Sequence, residues 1–177
     1  MAIREVIKMG HPTLRLVAKE LEEDEVKSPW FQELITDMRE TMKACGGIGI
    51  AAPQINESFQ TAIIDLPEES DRYPDAPESH EYIIVNPKIT LLNEEKQTFW
   101  EGCLSVPGLR GQVTRPAKIR IDYKDENFVD QSIELEDFLA TVFQHELDHL
   151  FGELYVDKVV NNSLTYEEEF AQFHTEV

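Results

Sequence analysis

A chain of 177 residues with 41% apolar content can bury one continuous core, and its two cysteines are too few for a disulfide framework. The net charge of −19, from 35 acidic against 16 basic residues, argues against DNA, RNA or anionic membranes as partners, and no apolar run approaches the roughly 20 residues that span a bilayer. The first ten residues lack the apolar stretch of a secretory signal, so a cytoplasmic location and a small or peptide substrate are expected.

In chain order, Ser28-Pro29 reads as an N-cap followed by proline in the first helical position. Phe31, Leu34, Ile35, Met38, Met42 and Cys45 then share one helical face that stops at Gly46-Gly47. Cys45, on that stripe, is expected to be a small core residue and no part of a site. Runs rich in β-branched and aromatic residues follow at 59–65, 82–85, 88–92, 118–123 and 131–135, which predicts an antiparallel or mixed sheet. Residues 66–81 carry three prolines and six carboxylates and read as an acidic surface loop. Asp137 is the expected N-cap of a helix running to about Phe151, with Gly152 ending it in a left-handed turn. In the tail, residues 161–177, Thr165-x-x-Glu168 resembles a capping box ahead of Tyr166, Phe170 and Phe173, which predicts a short C-terminal helix.

The second helix carries His145-Glu146-Leu147-Asp148-His149, which sets two imidazoles one turn apart, able to reach one cation, with Glu146 beside them. Taken alone, this pattern fits a polar surface helix as well as a metal site. A third ligand is offered by Cys103 in Glu101-Gly102-Cys103-Leu104-Ser105-Val106-Pro107-Gly108, where glycine and Pro-Gly suggest an exposed bend. One thiolate and two imidazoles leave a fourth position for water, as catalytic centres do. His11, His80 and His174 read as surface residues, although any one of them could close the site and make the metal structural. The segment Gly47-Ile48-Gly49-Ile50-Ala51-Ala52-Pro53-Gln54 is either a helix end running into a strand or a place where a peptide approaches backbone closely. Gln54 favours the second reading, because an amide can donate to an oxyanion without competing for a metal.

Together these three segments, at residues 47–54, 101–105 and 144–149, resemble the motifs of peptide deformylases, and the likeness extends through Arg110-Gly111-x-Val113-x-Arg115-Pro116 and over residues 3 to 158. The resemblance implies one catalytic α+β domain over residues 1–177, with mixed or antiparallel sheets around a central metal-binding helix. It makes Cys103, His145 and His149 the metal ligands, Glu146 the acid/base, and Gln54 with the backbone amide of Leu104 the oxyanion donors. The implied reaction removes the formyl group from N-formylmethionyl peptides and releases formate. Fe²⁺ is the favoured ion, with Zn²⁺, Ni²⁺ or Co²⁺ as alternatives suited to the same donors. Ile48, Gly49, Gly102 and Val142 are the candidates for substrate contact, and an ion pair of Asp148 with Arg115 is expected to orient the helix. Docking to the ribosome through the tail is not expected, because residues 161–177 hold Glu167, Glu168, Glu169 and Glu176 but no Lys or Arg.

Overall fold

The computed structural model describes residues 2–66 and 80–174. Its helices and strands are α1 (Glu23–Val26), α2 (Pro29–Ala44), β1 (Gly49–Ala51), β2 (Thr61–Leu66), β3 (His80–Leu91), β4 (Lys96–Cys103), β5 (Val106–Pro116), β6 (Lys118–Lys124), β7 (Asp130–Glu136), α3 (Asp137–Asp148), β8 (Thr165–Tyr166) and α4 (Glu167–Phe173). One sheet has the order β1-β2-β3-β6-β7 and a second the order β4-β5-β8, all antiparallel. The expected α+β class is therefore present, with α3 in contact with both sheets.

Alternation along β2 gives the larger sheet a core on each face. Ala62 and Ile64 join Phe143 and Leu147 of α3, while Ile63 points the other way and joins Phe31, Met38 and Met42 of α2. Ser28 Oγ accepts the Phe31 N–H at 3.3 Å and Pro29 opens α2, as the sequence predicts. A cap contributes about 1 kcal/mol. Each large side chain buried along the stripe contributes about 1.5–3 kcal/mol, so packing outweighs the cap in holding α2.

Several expectations need correction. The runs 82–85 and 88–92 are one strand, β3, with its register shifted between Val85 and Lys88, where Asn86 adopts φ 48° and Pro87 has no N–H to offer the ladder. Of the expected loop 66–81, Leu66 is buried at the end of β2, and Glu81 lies in β3, where Arg39 Nε donates to it at 2.7 Å; residues 67–79 lie outside the described residues. Asp137 does not cap α3 from outside. It is the first helical residue, at φ 53°, and its carbonyl accepts from Gln97 Nε2. Gly152 does close the helix in a left-handed conformation, at φ 76°, after a final 3-10 turn over His149–Phe151. The capping box at Thr165 is absent because Thr165 and Tyr166 pair with Arg110 and Leu109 of β5, and α4 starts without a side-chain cap. Among the described residues, no helix is long and apolar enough to cross a membrane.

Candidate active site

The site forms where the β4–β5 hairpin meets α3. Cys103 ends β4 opposite Val106, and the chain turns at Leu104 and Ser105. Pro107 and Gly108 lie within β5, so the expected Pro-Gly bend is one hairpin turn earlier and Cys103 is half-buried at its edge. The ligand atoms of Cys103, His145 and His149 fall within 4.8 Å of one another, with Cys103 Sγ 3.4 Å from His149 Nε2. This is a metal-binding group, and among the described residues neither His11 nor His174 joins it. His11 instead accepts the Thr13 N–H at 3.3 Å, while His174 lies 4.9 Å from the Trp100 ring.

Behind the ligands runs a buried chain of charges. His145 Nδ1 donates to Glu101 Oε2 at 2.8 Å, which leaves Nε2 to face the cluster. Arg115 grips Glu101 with two hydrogen bonds, at 2.6 and 2.9 Å, and donates to Asp148 at 2.8 Å. Lys158 reaches the other Asp148 oxygen at 2.7 Å. The expected Asp148–Arg115 pair is thus present. Burial alone would raise the Glu101 pKa, but Arg115 and His145 outweigh it and hold the carboxyl below its usual range. Burial likewise opposes charge on His145, yet hydrogen bonds to Cys103 and Glu101 lift it well above an ordinary histidine. Burial, with His145 and Arg115 adding to it, presses His149 well below an ordinary histidine, which favours the neutral imidazole that ligates metals.

Sequence reasoning missed the role of Glu101. A signal was available in the motif, since Glu101 stands two residues before Cys103, but the bend expected there and the register shift the structure places between the two residues break the simple alternation of a strand. Removing one partner of a buried ion pair strands the other, so the carboxylate should matter for the metal. Glu101→Gln is expected to weaken metal affinity about 10- to 100-fold. Metal content after dialysis against a graded chelator measures this, and retention equal to wild type would refute it.

Gln54 and Glu146 complete the centre. Gln54 Oε1 accepts the Ala51 N–H at 2.8 Å, which fixes the amide so that Nε2 points inward, 3.5 Å from Cys103 Sγ and 3.3 Å from Ser105 Oγ. Glu146 is buried, burial pushes its carboxyl up to about 7, and among the described residues its Oε2 has no hydrogen-bond partner. Its side chain lies so close to Gly49 that a Cβ there would stand 2.5 Å from Oε1, so the glycine makes room for the carboxylate.

A cavity of about 920 Å³ opens onto this centre. Ile48, Gly49, Gly102, Leu104 and Val142 all line it, and Val142 also belongs to the core beneath. Cys45 was expected in the core. Instead α2 ends at Ala44, Cys45 is its C-cap, and the thiol is exposed at the cavity rim.

A helix carrying His-Glu-x-x-His, a sulfur donor from a facing hairpin and a carboxylate oxygen left without a hydrogen bond among the described residues define a metal-dependent hydrolase. Residues 3–164 match the family model of polypeptide deformylase. The chain is 46% identical to a peptide deformylase of Leptospira biflexa over 164 residues, covering 93% of this chain and 92% of the relative. It is 42% identical to peptide deformylase 2 of Pseudomonas putida over 176 residues, covering 99% and 94%. In structure it resembles a class I type b peptide deformylase from Acinetobacter baumannii with Met-Ala-Ser bound, at TM-score 0.82 and 37% identity over 89% of this chain and 99% of that one. The chain belongs to the polypeptide deformylase family. It is an enzyme that removes the N-formyl group from nascent peptides.

Proposed function

We propose that Cys103, His145 and His149 hold one divalent cation, that Glu146 is the acid/base, and that Gln54 and the Leu104 amide are the oxyanion donors. The donor set fits a cation: a tetrahedral ion with bonds of about 2.0–2.3 Å spaces its ligands roughly 3.3–3.8 Å apart. Cys103 Sγ and His149 Nε2 already stand 3.4 Å apart. When bound there, the cation supplies Lewis-acid activation of water and of the formyl carbonyl. The observation that carries the reading is the buried, unpartnered Glu146 Oε2 beside the Cys-His-His group on the cavity wall. Glu146 takes a proton from the attacking water and later delivers it to the departing amine nitrogen. Gln54 Nε2–H and the Leu104 N–H donate to the oxygen as it becomes negative. Formate and a free N-terminal methionine leave.

The substrate backbone is proposed to lie along β1, an edge strand among the described residues that can accept an extended peptide as an added strand. Ile48, Gly49, Gly102 and Val142 then contact the first residue. Fe²⁺ is the proposed native ion, with Zn²⁺, Ni²⁺ or Co²⁺ able to occupy the same donors. We place the enzyme in the cytoplasm, acting on N-formylmethionyl peptides and not on DNA or membranes. The acidic tail makes docking to ribosomal RNA unfavourable.

The experiment is formate release under anaerobic conditions with Fe²⁺, or with Ni²⁺ as a stable substitute. The space bounded by Gly49 and Leu104 should admit a formyl hydrogen but not a methyl group, so formyl-Met-Ala-Ser should be cleaved and acetyl-Met-Ala-Ser left nearly untouched. Comparable kcat/KM values for the two peptides would instead identify a general amidase.

A further inference from the structure

Shortly after the helix that carries the histidines, a 3-10 turn over Tyr155–Asp157 sets one aromatic ring against the metal-binding group. The Tyr155 ring stacks on His145, with ring centres 6.0 Å apart and planes 27° apart, and it is among the largest side chains sealed from solvent. Its phenol is tied elsewhere. The hydroxyl donates to the Leu109 carbonyl of β5 at 3.0 Å, and burial, with Cys103 adding to it, pushes the group up to about 12, so it stays protonated and able to donate. The ring also belongs to a buried cluster with Val106, Val113 and Leu154, against which Cys103 packs. Asp157 closes the turn by accepting the Leu154 N–H at 2.8 Å, and Arg15 holds Asp157 in place at 3.0 Å. The ring is therefore anchored on sides other than the one that faces His145.

The imidazole of His145 has one in-plane restraint, the hydrogen bond from Nδ1 to Glu101 at 2.8 Å. A single hydrogen bond leaves the ring free to tilt about the N–H···O line, which would swing Nε2 away from the point where the other two donors converge. His149 meets His145 nearly edge-on, with planes at 84°, and so offers no flat face against that tilt. Tyr155 does. We propose that Tyr155 is a positioning residue of the metal centre, its stacked ring setting the plane of the His145 imidazole and so aiming Nε2 at the cation. The proposal rests on the reading of Cys103, His145 and His149 as metal ligands, and it adds a residue outside the three motif segments. An aliphatic side chain could fill the same space, but it has no plane to present, and a stacked pair adds to what buried area alone supplies.

The test loads the full-length enzyme with Co²⁺ under anaerobic conditions and reads its visible absorption bands, which report the geometry of the donors, beside Co²⁺ affinity and the kcat and KM for formyl-Met-Ala-Ser. Tyr155→Phe keeps the ring and should match wild type in bands and affinity. Tyr155→Leu removes the ring as well as the hydroxyl; compared with the phenylalanine variant it should shift the bands, bind Co²⁺ about 3- to 10-fold more weakly and lose kcat by a similar factor, with KM alike in the two. A residue that only filled the core would cost the leucine variant thermal stability and leave the bands where they are. Unmoved bands in Tyr155→Leu would overturn the proposal, and so would displaced bands in Tyr155→Phe, whichever other variants fold. If the leucine variant does not fold, Tyr155→Met, which fills the space with a flexible chain and no flat face, carries the same expectations. Wild type without such bands would overturn the ligand assignment, and this proposal with it.

Discussion

Glu146→Gln should retain its metal and lose turnover by on the order of 10²–10⁴-fold, the usual loss when a positioned acid/base is removed. The amide has the size of the carboxylate, so the close packing against Gly49 is preserved and the cavity wall keeps its shape. It cannot take a proton from water at neutral pH, nor carry one to the leaving nitrogen. Cys103, His145 and His149 remain in place, so metal content by elemental analysis should match wild type. A fully metallated Glu146→Gln enzyme with near wild-type kcat would remove Glu146 from the mechanism.

Cys103→Ala should do the opposite, losing metal first and activity as a result. The thiolate is the single anionic donor in the cluster, and its loss leaves two imidazoles held by α3 and the 3-10 turn that closes it, with nothing opposing them from the hairpin. Equilibrium dialysis against a competing chelator should show the affinity falling by several orders of magnitude, and excess metal should restore little turnover. Metal bound as tightly as in wild type would take Cys103 out of the ligand set. The two variants together separate holding the ion from moving the proton.

Local periodicity made much of the scaffold legible. The stripe from Phe31 to Met42, capped by Ser28-Pro29, and the left-handed Gly152 both follow from a few adjacent residues, and both fold as read. Failures came at a helix end and where distant partners decide. Cys45 continues the helical stripe on paper, but the helix stops one residue earlier and Gly46 turns at φ 67°, leaving the thiol outside. Thr165 and Glu168 fit a capping box, yet β5, more than fifty residues upstream, offers Thr165 a strand partner instead. Glycines and proline hid the hairpin of β4 and β5, which pairs Lys96 with Pro116 and runs down to Cys103. At the centre, the residue types of Cys103, His145, His149, Glu146 and Gln54 announced themselves by motif. Glu101 did not, because its value lies in Arg115 and His145, two partners from different elements.

The centre also straddles a seam. Its sulfur belongs to the small sheet and its two nitrogens to the helix that covers the large one and the turn that ends it, while Glu101, Arg115 and Asp148 cross the same boundary behind them. A cation held across that boundary is a clasp between two halves of the molecule, and whatever loosens their docking loosens the clasp. Ion occupancy and the integrity of the seam are then one equilibrium seen from two sides: free metal steadies the folded chain by mass action, and a chelator acts as a mild denaturant.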